Sequence, residues 1–403
     1  MNVIFLTMSS VRNISDRRIY QDLLRKFRAE GHEVYIVTPR ERRLGESTAL
    51  SDSDGAHILG VKTLNLQKSS IIEKGIGQVL VESQFKQAIQ KHLPDVKFDL
   101  ILYSTPPITL KGTVAYLKKK NPKAISYLLL KDIFPQNAVD IGMMTKTGVK
   151  GLLYKFFRRK EKALYAISDY IGCMSPANVD YVLKHNPDVS PLKVEEAPNS
   201  YEFFEVIPMS KEEKSQVRHQ YSIPADKPVF LYGGNLGKPQ GIPFLIESLD
   251  ALKNRVDCHF LVVGSGTEAD RFQEWLNTSK AENVTFIPEL PVQEYHQLVR
   301  SCDVGMIFLD HRFTIPNFPS RALDYMRYSM PLLLATDSVC DMGPIAENNG
   351  FGFWCESNSV DKFIAIVDRM LNSDMNRMGQ NAYNYLKDNY SIERTYNAIV
   401  KHV

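Results

Sequence analysis

Short apolar segments alternate with helical patterns along almost the whole chain. Residues 3–6 form the first apolar segment, and apolar side chains then recur over residues 19–27 at the spacing of one helix face. Gly31 is placed to end this helix, and residues 34–37 form a second apolar segment. A strand, a helix, a glycine stop and another strand predict a βαβ unit, the building block of parallel sheets.

The same alternation continues through two halves of the chain. The further apolar runs that we predict as buried strands are residues 100–103, 125–130, 170–174, 229–232, 260–263, 284–287, 304–308 and 332–335. A proline-containing segment, residues 194–208, separates the two halves and resembles a linker. The pattern therefore predicts two Rossmann-like doubly wound domains, residues 1–198 and 205–389, with a final helix, 390–403, packing back on the first.

Composition adds limits on the setting and the partners. The 403 residues are 44% hydrophobic and 24% charged, with a net charge of +3, which is typical of a globular protein and gives no sign of a nucleic-acid partner. Five scattered cysteines and nine histidines show no metal-binding spacing, so we expect neither a disulfide framework nor a metal site. No basic leader and no apolar run of ~18 residues is present, so we expect a cytoplasmic protein.

A glycine-rich segment follows the first strand of the second half. It contains Gly234, Asn235, Gly237, Lys238 and Gln240, and a helical pattern begins directly after it. Glycines let a ligand approach the backbone, the N-terminus of a helix offers N–H groups, and Lys238 adds a full positive charge. These features are suited to a diphosphate. The alternative is an ordinary glycine turn between a strand and a helix.

A second short loop lies after the next strand of this half. It contains Gly264, Ser265 and Gly266. The pair of glycines is a weak signal that close packing alone could produce, and the third glycine of the dinucleotide fingerprint is missing. A dehydrogenase is therefore disfavoured.

A third segment, residues 318–326, combines a helix start with opposite charges. Pro319 and Ser320 are placed to begin a helix, so that Ser320 and Arg321 lie at its positive end. Asp324 follows one turn later and can face the same ligand as Arg321. Arginine can clamp a phosphate, and a carboxylate can accept two hydrogen bonds from a ribose diol. A surface salt bridge between the two residues is the alternative.

These three segments, in this order, resemble the donor-binding half of the retaining glycosyltransferases of family 4, which have the GT-B fold. The first half agrees at three places, namely Gly31 to Val34, Lys131 to Pro135 and Ala197 to Ser200. The resemblance extends over nearly the whole chain. It implies two Rossmann-like domains that face each other across a cleft, with a nucleotide-sugar as co-substrate and no other cofactor.

The resemblance also implies roles in binding the donor. Asp324 matches the acidic residue that holds the donor ribose, and Gly264 and Gly266 match the loop beside the nucleotide. Gly234 and the residues after it match the loop near the diphosphate. Pro316 stands where the first acidic residue of the family's pair is expected.

On the acceptor side, the resemblance points to Asp16, Thr105, Pro106 and Asp132, with Asp132 also a candidate catalytic residue. The usual arginine and lysine of the family's phosphate loop correspond to Asn235 and Gln240. Lys238 and Arg321 are therefore the candidate catalytic cations for a metal-independent reaction.

We accordingly expect a retaining hexosyltransferase that moves a sugar from a nucleotide-diphosphate sugar to a glycan or polyprenyl-diphosphate-linked acceptor. The resemblance is to members that build bacterial surface polysaccharide such as capsule or O-antigen. Two alternatives stay open. One is a non-hydrolysing sugar-nucleotide epimerase, and the other, suggested by Pro316, is a non-catalytic nucleotide-sugar-binding scaffold.

A basic and aromatic helix is predicted over residues 152–162. Such a helix can touch an anionic membrane surface, which would place the protein at the inner face of the membrane. A solvated helix edge packed on the sheet accounts for the pattern equally well, and both interpretations stay open at this point.

Overall fold

The chain forms two sheets of mainly parallel strands, each covered by helices on both faces. The computed structural model describes residues 1–66, 71–203 and 207–403. The predicted α/β class, with two doubly wound sheets, is confirmed. In the described part of the chain, no helix is both long and apolar enough to cross a membrane.

The described residues divide into two compact units. The first comprises Met1–Glu202 together with Tyr390–Val403, and the second comprises Phe203–Asn389. The predicted end of the first domain at residue 198 lies close to this division. The predicted start of the second domain at residue 205 lies outside the described residues.

The first unit contains an eight-stranded sheet in the order β3-β4-β2-β1-β5-β6-β7-β8. All neighbouring strands are parallel except β3 and β4, which form an antiparallel hairpin. The strands are β1 (Asn2–Leu6), β2 (Glu33–Glu41), β3 (Ala49–Ser53), β4 (Ala56–Thr63), β5 (Leu100–Ser104), β6 (Ile125–Leu130), β7 (Tyr170–Cys173) and β8 (Val194–Glu196). Strand β1 is central because Val3 pairs with Val34 on one side and with Leu100 on the other.

Helices of the first unit cover this sheet. They are α1 (Ile19–Ala29), α2 (Ile71–His92), α3 (Lys111–Lys120), α4 (Gln136–Asp140), α5 (Gly148–Ile167), α6 (Pro176–His185) and, after the second unit, α15 (Ile392–Val400). Helix α15 belongs to this unit because its Ile392, Tyr396 and Ile399 are buried in the same core as Phe27 of α1. The Tyr396 hydroxyl also lies 2.8 Å from Nε2 of His32.

The second unit contains a six-stranded, fully parallel sheet in the order β11-β10-β9-β12-β13-β14. Its strands are β9 (Val229–Gly233), β10 (His259–Val263), β11 (Val284–Ile287), β12 (Val304–Phe308), β13 (Leu332–Thr336) and β14 (Gly352–Glu356). Four of them, β9, β10, β12 and β13, are buried at every position, which is the burial expected of strands covered on both faces.

Helices of the second unit lie on both sides of this sheet. They are α7 (Lys211–Gln220), α8 (Ile242–Leu252), α9 (Ala269–Ser279), α10 (Val292–Ser301), α11 (Arg321–Arg327), α12 (Met342–Asn348), α13 (Val360–Leu371) and α14 (Met375–Asn389). Helix α8 packs against α9 and α13, whereas α11 packs against α14 and α10 against α7. The chain therefore winds onto opposite faces from neighbouring strands.

Every predicted strand is present, and its ends differ by at most two residues except in β2, which continues four residues further than predicted. Four further strands were not predicted. Strands β3 and β4 are joined by Asp54 and Gly55, whose φ values of 47° and 79° are those of a tight hairpin turn. Strand β8 has only three residues, too few to show a period, and β14 lies at the edge of its sheet, where burial is incomplete.

Candidate functional site

The strand order of the second sheet changes direction between β9 and β12. These two strands are neighbours, yet the chain continues from β9 to β10 on one side and from β12 to β13 on the other. The loops after β9 and β12 therefore diverge and leave a crevice at the carboxyl ends of the strands. In open α/β sheets, this is the place where ligands bind. The three segments singled out in the sequence follow β9, β10 and β12 in the chain.

The loops after β9 and β10 pack backbone against backbone. Gly234 N donates to Val263 O at 2.9 Å, and Leu236 N donates to Ser265 O at 2.9 Å. A Cβ on Gly264 would lie 1.8 Å from Gly234 O, so no side chain fits there. A Cβ on Gly266 would lie 2.4 Å from Leu236 O. Close packing therefore accounts for these two glycines, whether or not they also contact a nucleotide.

The loop after β9 is closed by a short turn. The side chain of Asn235 donates from Nδ2 to Oε1 of Gln240 at 2.9 Å, and the backbone O of Asn235 accepts from the Tyr232 hydroxyl at 2.7 Å. The side chain of Lys238 is exposed, and no hydrogen bond or ion pair holds it within the described part of the chain. Lys238 is therefore available to an anion at the mouth of the loop.

Helix α8 begins at Ile242, directly after the glycine-rich segment, as predicted. The last part of the segment, Lys238–Gln240, is itself a 3-10 turn. Pro243 has no N–H, and Phe244 N already donates to Gly241 O at 2.9 Å. The helix N-terminus thus offers fewer free donors than expected.

Arg321 and Asp324 meet at the start of α11. Nη1 of Arg321 lies 2.9 Å from Oδ2 of Asp324, so the salt bridge considered as the alternative is formed. The second carboxylate oxygen, Oδ1, faces Nη2 of Arg327 at 3.4 Å. The side chain of Arg321 is 38% exposed, that of Asp324 16% and that of Arg327 5%. The carboxylate is therefore shared between an accessible guanidinium and a buried one.

Helix α11 is attached to the loop after β9. Gly233 N donates to the hydroxyl of Tyr325 at 2.8 Å, which joins the end of β9 to the middle of α11. Nε of Arg321 lies 3.8 Å from the position that a Cβ on Gly234 would take, and its guanidinium lies 5.4 Å from the centre of the Tyr295 ring. The structure thus brings the first and third predicted segments together at one edge. Ser320 directly precedes α11 and is half-buried there, without capping the helix through its side chain.

Three residues of this edge, Tyr295, Tyr325 and Arg327, were not singled out as functional from the sequence. Arg327 lies three residues after Asp324, the same spacing as Arg321 before it, so the pattern contained a signal for it. Tyr325 and Tyr295 follow apolar helix patterns, and only the fold shows their contacts with Gly233 and Arg321. Pro316 is buried in the loop before α11 and brings no charge to the edge.

The first unit has polar residues at its own carboxyl edge. Thr105 follows β5, and its Oγ1 accepts hydrogen bonds from the backbone N of Lys131 (3.0 Å) and of Asp132 (3.2 Å) after β6. Thr105 and Asp132 are therefore brought together, as the prediction requires. Pro106, next in the chain, is exposed. Asp16 is exposed in the loop after β1, and no hydrogen bond in the described ranges joins it to Thr105 or Asp132.

Burial changes the acidity of two neighbouring groups at this edge. It raises the pKa of Asp132 from 3.8 to about 6, although Nδ2 of Asn137 donates to its Oδ1 at 2.7 Å and favours the charged form. Burial also lowers the pKa of Lys131 to about 7, while its Nζ donates to Ala197 O at 2.9 Å. Both groups can therefore change charge near neutral pH.

Residues 213–385 match the family model described as "Glycosyl transferases group 1". The matched region includes the loops after β9 and β10 and the whole of α11, the parts that build the carboxyl edge of the second sheet. Residues 213–385 of this chain form a group 1 glycosyltransferase domain. The resemblance noted in the sequence is thereby confirmed.

Two curated relatives of this glycosyltransferase are similar in sequence. WbjE of Pseudomonas aeruginosa, described as a probable glycosyltransferase, is 23% identical over 336 residues, which cover 80% of this chain and 78% of WbjE. WcaI of Escherichia coli (strain K12), described as a putative colanic acid biosynthesis glycosyl transferase, is 22% identical over 156 residues, or 38% of each chain.

Solved structures share the whole fold of this glycosyltransferase. Sucrose-phosphate synthase from Thermosynechococcus elongatus has a TM-score of 0.75 at 16% identity, covering 100% of this chain and 98% of that one. Anabaena HepE in complex with UDP and glucose has a TM-score of 0.70 at 13% identity, covering 100% and 99%. The GT-B fold class is thus confirmed.

The close approach of the two glycine loops predicts a stability effect. Gly264→Ala should lower the free energy of unfolding by about 3 kcal/mol or more, because a backbone oxygen blocks the new methyl group. Gly350→Ala is the control in the same unit. Both glycines have a positive φ, 156° at Gly264 and 63° at Gly350, but a Cβ on Gly350 would meet only the side chain of Asn381 at 3.3 Å. Denaturant unfolding measures both variants, and equal losses would contradict the packing role.

The raised pKa of Asp132 predicts a pH-dependent stability difference. A carboxyl with a higher pKa in the folded state binds its proton more tightly there, so the folded protein loses stability once the group is charged. Asp132→Asn stays neutral and still accepts from Asn137. As pH rises from about 4 to about 6, the free energy of unfolding of the variant should increase relative to that of wild type, by at most about 3 kcal/mol. Above about pH 6 the difference should stay constant.

Thermal or denaturant unfolding of both proteins across this pH range measures the difference. Lys131 titrates in both proteins and so largely cancels in the comparison. A difference that does not change with pH would show that the Asp132 carboxyl keeps an ordinary pKa.

Proposed function

We propose that this glycosyltransferase moves a hexosyl residue, with retention of configuration, from a nucleotide-diphosphate sugar to a glycan or polyprenyl-diphosphate-linked acceptor. The observation that supports it most is the meeting of Arg321 and Asp324 with the loop of Gly234 at the strand switch of the second sheet. One edge thus offers a group for a phosphate and a group for a ribose within a single helical turn.

The proposed ribose site is the carboxylate of Asp324, whose two oxygens contact different arginines. A ribose diol can displace Arg321 from Oδ2, because Arg321 is the more exposed of the two partners. Arg327 is nearly buried and can keep its contact with Oδ1 while the ribose is bound. Asp324 would then remain partly neutralised throughout, which lowers the cost of holding a charge at a half-buried position.

The proposed diphosphate site consists of two cationic side chains, those of Lys238 and Arg321. Lys238 is exposed at the mouth of the loop after β9, and Arg321, once released from Asp324, lies beside Gly234. Negative charge builds on the departing nucleoside diphosphate as the glycosidic bond breaks. Fixed cations stabilise that charge most strongly in the transition state, so these two side chains would take the part that a metal plays in other transferases. No group of three or more metal-ligating side chains occurs among the described residues.

The acceptor is assigned to the first unit. Asp132 lies at its carboxyl edge, where a carboxylate can accept a hydrogen bond from a sugar hydroxyl. Thr105 is buried beside it and holds the backbone of Lys131 and Asp132 in place through its hydroxyl. At a pH above about 6, Asp132 is charged and accepts hydrogen bonds only. Gly264, Gly266, Asn235, Gly237, Gln240 and Ser320 would line the donor, and Asp16 and Pro106 the acceptor.

The role in surface polysaccharide biosynthesis is drawn from the relatives. The description of WcaI refers to colanic acid biosynthesis, and the HepE structure contains UDP and glucose. A uridine diphosphate sugar is therefore the first donor to test. The protein is incubated with a panel of nucleotide sugars, with and without lipid-linked and free glycan acceptors, and release of free nucleoside diphosphate is measured.

Each outcome of this screen has a distinct meaning. Release that depends on an acceptor supports the proposal, and the anomeric configuration of the product, read by NMR, tests retention. Interconversion of donors without release would show an epimerase. Binding of donors without turnover on any acceptor would show a scaffold and overturn the proposed reaction.

We expect the loss of Lys238 or of Arg321 to lower the turnover number more than it weakens donor binding. Lys238→Ala and Arg321→Ala should each lower kcat by about 10²–10³ while changing the affinity for the donor far less, because the charge they face grows toward the transition state. Steady-state kinetics and calorimetry with the donor measure the two effects separately.

Two control variants sharpen this prediction. Lys119→Ala removes an exposed lysine at the end of α3 and should leave kcat unchanged. Arg321→Lys keeps the charge and should retain more activity than Arg321→Ala. If both alanine variants at the carboxyl edge keep a near wild-type kcat, the phosphate site lies elsewhere.

A further inference from the structure

Helix α5 presents an apolar stripe to solvent. Val149, Leu152, Leu153 and Phe156 are exposed by 86%, 67%, 49% and 39%, and they follow the spacing i, i+3, i+4 and i+7 of one helix face. Met143, in the turn before the helix, is exposed by 62%. We call the four residues of the helix the α5 stripe. Single exposed apolar side chains are common on proteins, but a continuous stripe of this kind marks a contact site.

The later turns of α5 supply the contact with its own unit. Phe157, Leu164 and Tyr165 are buried there, with exposures of 8%, 0% and 1%. The first turns of the helix, which carry Val149, Leu152 and Leu153, are exposed instead. The α5 stripe is therefore an apolar surface that the packing of its own unit leaves uncovered.

The charges around the α5 stripe are of one sign. Residues 148–160 contain no acidic side chain, and Lys155 and Arg159 are exposed on the flank of the stripe. Nζ of Lys160 lies 5.7 Å from the centre of the Phe156 ring. The one acidic residue of α5, Glu161, points inward, where Oε2 accepts from Arg158 at 2.5 Å and Oε1 accepts from Tyr165 at 2.9 Å.

We infer that the α5 stripe and its flanking cations form a docking surface for an anionic lipid bilayer. A helix with an apolar stripe edged by lysine and arginine lies in the plane of a membrane interface, with the apolar side chains below the headgroups and the cations among them. The positive flank matches the negative surface of anionic lipids. This inference deepens the lipid-linked acceptor of the proposed function, since the stripe belongs to the unit that contains Thr105 and Asp132.

Vesicle binding of the full chain tests the inference directly. Phosphatidylcholine vesicles with and without about a third of phosphatidylglycerol are sedimented with the protein. The protein should bind the anionic vesicles strongly and the neutral ones weakly, and added salt should reduce the binding without abolishing it, because the apolar contribution is not screened. No binding to anionic vesicles would overturn the inference.

Variants separate the two contributions. Leu152→Ser with Leu153→Ser should weaken binding at least tenfold on anionic vesicles. Lys155→Ala with Arg159→Ala should weaken it about 25-fold on anionic vesicles, at about fivefold per charge, and leave the weak binding to neutral vesicles unchanged. Circular dichroism checks that each variant is folded.

Matched controls come from exposed residues elsewhere on the same unit. Leu192→Ser removes a leucine that is 90% exposed, and Lys119→Ala removes an exposed lysine. Both should bind vesicles as wild type does, and an equal loss in these controls would overturn the inference.

Two further measurements test whether the α5 stripe binds a second copy of the chain and whether docking is separate from the transfer reaction. Analytical ultracentrifugation compares wild type with the leucine double variant. A dimer that the double variant dissolves, together with no vesicle binding, would overturn the inference. Nucleotide release with a soluble acceptor should be the same in wild type and double variant, so the transfer reaction and the docking surface fail or succeed independently.

Discussion

The backbone contact between the loops after β9 and β10 is the constraint on which the carboxyl edge of the second sheet depends. Gly264 and Gly266 have no room for a side chain, because the oxygens of Gly234 and Leu236 occupy the space. Two backbone hydrogen bonds, from Gly234 and Leu236, hold the loops at this distance. The position of Gly234, and with it the space next to Arg321, is thus fixed by the backbone before any ligand arrives.

The second element of the edge is the orientation of α11. Tyr325 fixes the helix to the end of β9 through Gly233 N, and Arg327 holds one oxygen of Asp324 from a buried position. What remains adjustable is the pair of Arg321 and Asp324, which is the more exposed of the two ion pairs. A rigid edge with one exchangeable ion pair is suited to a nucleoside diphosphate, since the ligand brings an anion for the arginine and a diol for the carboxylate.

Central strands and the order of the functional segments could be predicted from the sequence, because buried parallel strands leave continuous apolar runs. The hairpin of β3 and β4 was missed even though Asp54 and Gly55 are a strong turn signal. The function of Gly264 and Gly266 in loop packing depends on atoms that are far away in sequence, as does the contact of Tyr325 with Gly233. Such contacts have no local pattern. The salt bridge of Arg321 and Asp324 was foreseen as an alternative, and the fold adds its second arginine, Arg327.

The central claim is that Asp324 holds the ribose of a nucleoside diphosphate at this edge. Isothermal titration calorimetry with uridine diphosphate and its 2′,3′-dideoxy analogue, on wild type and Asp324→Ala, tests it most directly. Charge-assisted hydrogen bonds of this kind contribute about 1.5–3 kcal/mol, so wild type should bind the ribose form about tenfold or more tightly than the analogue. The variant should bind both ligands equally and weakly. A variant that keeps the wild-type preference for the ribose would contradict the account.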